Sequence, residues 1–229
     1  MTIVKPIQIQ VANDVLEAWN NLGVVTRAEQ LKSAAEKFSG ATRSMALWQL
    51  DNAIHEIGEA LVLPGPTGES NVLSTHGRGP FLITAQEDQA DSNLQTALVG
   101  QTFAALVAGN PVVTVGPEGQ AIMDALAPFV PEGVIQNVAR SAEDSLIEAL
   151  DLAGIATVCD SDHAQVLYQR LANKTGLLCQ LVEENDAQTL PVISAPHYIL
   201  RFVTEKTVST NTTAIGGNAT LLELGSKAE

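Results

Sequence analysis

The sequence predicts an α/β fold with a doubly wound parallel sheet, preceded by helices and followed by a C-terminal β-flap. Three observations carry this. From Gly79 to Leu181 short apolar runs of strand length alternate with amphipathic helical stretches. They recur about every thirty residues, as right-handed βαβ crossovers require. Before that stretch the apolar residues recur at helical spacing, and after it the chain becomes rich in Thr and Gly. Residues 1–62 therefore read as a helical segment, 63–205 as a Rossmann-like α/β domain, and 206–229 as a flap or tail.

Val11, Val15, Leu16, Trp19 and Leu22 mark one face of a first helix over Ala12–Leu22. Thr26 is expected to cap a second helix, with Glu29 completing a capping box. Leu47, Leu50, Ile54 and Ile57 place a third over Ser44–Ala60, where His55 reads as a solvated surface histidine beside carboxylates. Leu63-Pro64-Gly65-Pro66-Thr67-Gly68-Glu69 then permits neither a helix nor a central strand. It is an ordered turn segment.

Strands are expected at Phe81–Ala85, Pro111–Val115, Val134–Val138, Ile155–Cys159 and Leu177–Leu181. The helices between them are Glu87–Ala108, Gln120–Phe129, Ser141–Leu152 and Asp162–Asn173. Gly109 stops the first of these from the C′ position, and Ser141 is the expected cap of the third. Tyr198–Glu205 alternates like a strand with one wet face. The Thr-rich stretch beyond it reads as an edge that pairs with another chain. Its candidate interface residues are Thr207, Val208, Ser209, Asn211, Thr212, Gly216, Gly217, Asn218, Thr220 and Leu221.

Hydrophobic residues make up 45% of the chain and aromatics only 4%, so small aliphatic side chains must fill the core. The formal charge of −14 repels phosphate backbones and anionic membranes, which excludes nucleic acid and lipid as expected partners. No apolar run reaches the roughly 18 residues that span a bilayer. The N-terminus lacks a signal-peptide pattern, so a cytoplasmic location is expected. Cys159 and Cys179 form no CxxC and have no paired histidine, which fits neither a disulfide framework nor a zinc site.

Ala108-Gly109-Asn110-Pro111-Val112-Val113 resembles the strand entry of the aldehyde dehydrogenase dinucleotide-binding domain. Leu63–Glu69 and Thr207–Leu224 are similar to the C-terminal region of the long forms of proline utilization A. Those are large flavin- and NAD-dependent enzymes that oxidise proline to glutamate. The resemblance covers the chain from about Leu61 to Gly225. It implies a second, non-catalytic copy of the aldehyde dehydrogenase fold. Such a copy covers a pyrroline-5-carboxylate dehydrogenase catalytic domain and helps enclose the tunnel between two active sites. The implied partner is such a proline dehydrogenase/pyrroline-5-carboxylate dehydrogenase chain, or another copy of this chain joined through the flap.

The catalytic equipment of that superfamily is not evident. An active member needs a nucleophilic cysteine in a GQxC context, a glutamate base and an oxyanion donor. Neither Cys159 nor Cys179 follows a Gly-Gln pair, and both read as structural. Leu222-Glu223-Leu224-Gly225-Ser226-Lys227 resembles the glutamate motif ELGGK only superficially. Where active relatives carry a lysine for the adenine ribose, this chain has Thr114-Val115-Gly116. Where they carry an FTGS-like turn facing the pyrophosphate, it has Cys159-Asp160-Ser161-Asp162, whose carboxylates compete with a diphosphate for the helix dipole. No catalytic, cofactor-binding or metal residues are therefore expected. The alternative is an NAD-dependent pyrroline-5-carboxylate dehydrogenase, or part of one, completed by a partner.

Other constellations are weak. Ser74 with His76, and Asp160-Ser161-Asp162 with His163, hold triad letters without implying triad geometry. His163 reads as part of a helix-start polar cluster and His197, after Pro196, as a turn residue. The four scattered histidines suggest no metal set.

Overall fold

A computed structural model describes residues 6–86 and 93–211. In chain order it opens with α1 (Ile7–Asn21), α2 (Gly23–Ala35), α3 (Gly40–Ile57), β1 (Leu61–Leu63), β2 (Glu69–Gly77) and β3 (Phe81–Ala85). Next come α4 (Leu94–Val107), β4 (Val112–Val115), α5 (Gly116–Leu126), β5 (Ile135–Val138) and α6 (Glu143–Ile147). The chain closes with β6 (Gly154–Val158), α7 (Ser161–Ala172), β7 (Gln180–Glu184) and β8 (Val203–Asn211). It divides into two compact units, residues 1–58 with 76–204, and residues 59–75 with 205–229.

The first unit is built on a five-stranded sheet in the order β5-β4-β3-β6-β7, with every neighbouring pair parallel. β3 sits at the centre, pairing Phe81 with both Val112 and Gly154, so the winding reverses there. Residues of α2 to α5 cover one face of the sheet, over Phe81, Ile83, Val112, Ala156 and Val182. Ile9 of α1, Leu146 and Ile147 of α6, and Leu167 of α7 cover the other, over Leu82, Val113, Ile155 and Leu181. Burial on both faces explains why β3, β4 and β6 read as continuous apolar runs. This is the doubly wound Rossmann-like sheet that the alternation predicts.

Two buried polar groups tie together the segments that surround that sheet. Arg27, 2% exposed, donates from Nε to the Val107 carbonyl (2.9 Å) and from Nη1 to the Trp19 and Asn20 carbonyls (3.1 and 2.8 Å). Its partners are the C-terminal carbonyls of α1 and α4, whose dipoles stand in for a carboxylate. Burial pulls this guanidinium down to about 10. Asn110 donates to the Ala105 and Phe202 carbonyls and accepts the Gly79 amide. Gly109, at φ +103°, ends α4 in a Schellman turn, with Gly109 N–H on Leu106 and Asn110 N–H on Ala105.

In the second unit β1 and β2 form an antiparallel hairpin with Val62 opposite Val72, and β8 lies on the other side of β2. The proline- and glycine-rich residues 64–68 are the connection of that hairpin. Ser209 Oγ donates to Asn71 Oδ1 (2.5 Å), and Ser74 Oγ to the Lys206 carbonyl (3.4 Å).

Several sequence expectations need correction. α2 begins at Gly23, whose φ of +77° reverses the chain early, so Thr26 is an exposed residue inside the helix rather than its cap. α3 runs Gly40–Ile57, starting and stopping earlier than Ser44–Ala60. Ser141 caps nothing: a 3₁₀ turn over Arg140–Ala142 leads into a five-residue α6. The helical path stops short of Leu152, where the Leu150 carbonyl accepts the Leu177 amide from another segment. β7 occupies Gln180–Glu184 rather than Leu177–Leu181, because an edge strand keeps polar residues and the apolar run belongs to the loop before it. Tyr198–Phe202 is a 3₁₀ helix, favoured by Pro196 in its first turn, with Tyr198, Ile199 and Phe202 buried on one side. The strand begins only at Val203. Of the expected helix Glu87–Ala108, residues 87–92 lie outside the described residues.

Candidate functional site

In a doubly wound sheet, ligands bind beyond the carboxyl ends of the strands, where the winding reverses. Here that point lies between β3 and β6. A cleft of about 380 Å³ opens there, lined by Thr84, Arg140, Glu143, Ile155, His163 and Arg170 among others. Its apolar lining comes from Ile147, Ile155 and Leu167, and its charged lining from Arg140, Glu143 and Asp144 after β5 and from Arg170 on α7.

The charged wall is paired within itself. Arg140 Nη1 donates to Thr84 Oγ1 (2.7 Å), the Ala85 carbonyl (2.9 Å) and Glu143 Oε2 (3.0 Å), while Thr84 Oγ1 donates to Glu143 Oε1 (2.6 Å). Arg170 donates to Glu148 Oε1 (2.6 Å) and Asp144 Oδ1 (2.7 Å). Both guanidiniums that border the cleft therefore already hold carboxylates.

The rim is the turn after β6. Asp160 is the N-cap of α7 and accepts the His163 amide on Oδ1 at 2.7 Å. The Gln86 amide clamps it from β3: Nε2 donates to Asp160 Oδ2 and Oε1 accepts the Asp160 amide, both at 3.1 Å. The His163 amide, followed by Gln86, holds this carboxyl below the usual carboxylate range. An amide that would otherwise face an anion at the start of α7 is thus taken by the protein's own carboxylate. Sequence reasoning found Asp160 and read His163 as a helix-start residue, as the structure shows. It missed Gln86, Arg140 and Glu143, whose meeting depends on strand order.

Cys159, at the end of β6, is buried, and Cys179 half-buried. Burial pushes each thiol up to about 11, away from a reactive thiolate. His55 and His197 both place Nδ1 at 3.0 Å from the Glu56 carboxylate, and both are largely exposed. Among the described residues no group of three or more His, Cys, Asp or Glu could hold a metal ion. Nor is any helix there long and apolar enough to cross a membrane.

Of the predicted interface residues, Thr207, Val208, Ser209 and Asn211 lie on β8. Apart from Val203, this nine-residue strand is exposed along its whole length. Thr212, Gly216, Gly217, Asn218, Thr220 and Leu221 lie outside the described residues. β1 is exposed as well, with Leu61 and Val62 at 58% and 80%. Val62 pairs with Val72 and Leu61 with Leu73 one residue along, so apolar pairs occupy both faces of this small sheet.

No protein-family model matches the chain. It is 29% identical over 174 residues to the bifunctional protein PutA of Rhizobium meliloti, a match covering 74% of this chain and 13% of that protein. The fold matches a point variant of Bradyrhizobium japonicum proline utilization A with a TM-score of 0.67 and 23% identity, over 81% of this chain and 23% of that one. It also matches an NADP-dependent glyceraldehyde-3-phosphate dehydrogenase from Bacillus halodurans, at 0.63 and 19%, over 78% and 44%. These likenesses show a shared α/β fold.

Proposed function

We propose that this chain, homologous to a segment of the bifunctional PutA proteins, is a non-catalytic aldehyde-dehydrogenase-like module. In this reading it serves proline catabolism by assembling with a pyrroline-5-carboxylate dehydrogenase domain or with another copy of itself. The chain spans 13% of the Rhizobium meliloti relative's length, and in this reading the activity belongs to the catalytic domain it joins.

One observation carries the non-catalytic part: the Asp160 carboxylate, braced by Gln86, takes up the His163 amide where a nucleotide diphosphate would bind. The self-paired arginines of the cleft and the protonated, buried Cys159 agree with it. The interaction part rests on β8 and β1. Exposed strand edges with apolar pairs on both faces suit addition to another sheet. Thr207, Val208, Ser209 and Asn211 would line that contact, continuing into Thr212–Leu221.

Two measurements test this. NADH fluorescence titration should show no saturable binding. Micromolar affinity, or turnover of pyrroline-5-carboxylate lost on Cys159→Ala, would favour an NAD-dependent dehydrogenase instead. Removing residues 206–229 should lower the mass measured by light scattering, alone or mixed with a PutA catalytic chain. An unchanged mass argues against the flap.

A further inference from the structure

We infer that the first unit binds a small neutral aromatic molecule with one O–H or N–H donor, of the phenol or indole class, against Trp48. The site is a cleft of about 460 Å³ that shares no lining residue with the one beside Arg140. One side of it is a single face of α3, where Ala41, Ser44, Met45 and Trp48 recur at i, i+3, i+4 and i+7. Thr189, Leu190 and Ser194 from the loop after β7 complete it with Asn93 and Thr96 at the start of α4.

The lining is fixed before any ligand arrives. Asn93 Nδ2 donates to the Gln188 carbonyl (2.8 Å), and the Thr42 and Thr96 hydroxyls meet at 2.8 Å. Gln49 Nε2 ties α3 to the Ile193 carbonyl (2.7 Å), while the fully buried Glu184 accepts the Val192 and Ile193 amides (2.9 and 3.0 Å). A Cβ at Gly100 would lie 2.8 Å from both Met45 Cγ and Ile193 Cγ2, so α4 backs these two side chains closely. Leu190 holds φ at +51°, the only non-glycine residue with positive φ among the described residues. Strain of this kind persists where the surroundings over-determine it, and ligand clamps are such places.

The lining also selects the ligand. None of its side chains is ionisable, in a chain of net charge −14, so a charged group would enter without a counter-charge. Trp48, 41% exposed, offers a ring on which a flat apolar body stacks. The hydroxyls spend their hydrogens inside the protein. Ser44 donates to the Gly40 carbonyl (3.2 Å), Thr189 to Asp186 Oδ2 (2.6 Å) and Ser194 to the Leu190 carbonyl (2.7 Å). Their oxygens are left as acceptors, which a donor on the ligand satisfies.

Trp48 reports its own occupancy, because Trp19, the second tryptophan, is 1% exposed and bonded to the Leu106 carbonyl. Phenol added to the intact chain should change the tryptophan emission saturably, with a Kd of about 1 mM for so small a ligand. Anisole keeps the ring and loses the donor, and should bind roughly fivefold more weakly, the worth of one hydrogen bond. Ala41→Leu, at an exposed position of α3, should fill the cleft and abolish saturation while circular dichroism stays unchanged. A response that is linear in phenol, or the same in Ala41→Leu, would overturn the site. Equal affinity for anisole, or tighter binding of tetramethylammonium, would overturn the ligand class. Either failure leaves the assembly reading standing, since that rests on β8 and β1.

Discussion

The two sheets of this protein solve opposite problems. The parallel sheet of the first unit is covered on both faces, and every residue of β3, β4 and β6 is buried. In the antiparallel sheet of the second, β8 buries only Val203. Strands buried on both sides draw their stability from within the chain. An exposed sheet with apolar pairs on both faces, Val62 with Val72 and Leu61 with Leu73, gains little until something covers it. The difference separates a scaffold from a surface available for contact.

The largest test of this comparison is a pair of substitutions. In β6, Gly154→Ala would place a Cβ 2.2 Å from Phe81 Cε1, in a layer where Phe81 is fully buried. It should cost about 3 kcal/mol in urea unfolding, as overpacking of a rigid core does. Ser209→Ala on β8 should change stability by less than about 0.5 kcal/mol. Equal costs would erase the distinction.

Next in size is the alkaline limb of the stability curve. Cys159 and Cys179, raised from 9.0 to about 11 in the folded chain, stay protonated there after the unfolded chain has begun to ionise. Their contribution is complete below pH 9 and is lost as pH climbs toward about 11. Denaturant midpoints should fall across that window, and the Cys159→Ala, Cys179→Ala double variant should flatten the fall. An unchanged slope in the variant would show that both thiols are more accessible than the sheet implies.

The smallest effect belongs to the cleft rim. Asp160→Ala should lower Tm slightly by removing the α7 cap and the Gln86 clamp. Because this carboxyl is depressed, its contribution is present above the ordinary carboxylate range and fades as pH falls through its folded value. Wild type and variant should therefore converge in acid. If the variant gained nucleotide affinity as well, Asp160 would be the barrier proposed above.

The legibility of each region follows the same division. β3, β4 and β6 were readable because burial on both faces forces unbroken apolar runs, and Gly109 marked the end of α4 because only a left-handed residue closes a Schellman turn. β1, β2 and β7 were missed or displaced, since edge and half-buried strands have no such compositional demand. Tyr198–Phe202 alternates in sequence like a strand, yet its buried side follows helical spacing.

The sequence alone therefore determined the α/β alternation, the doubly wound class and the likeness to a proline utilization A segment. All of these rest on local periodicity or on contiguous motifs. Only the tertiary structure decided that β3 stands between β4 and β6, and this brings Gln86 to Asp160 and Thr84 to Arg140 and Glu143. Those partners are separated by 74, 56 and 59 positions. Hydrogen bonds between residues so distant arise from strand order, which no local pattern encodes.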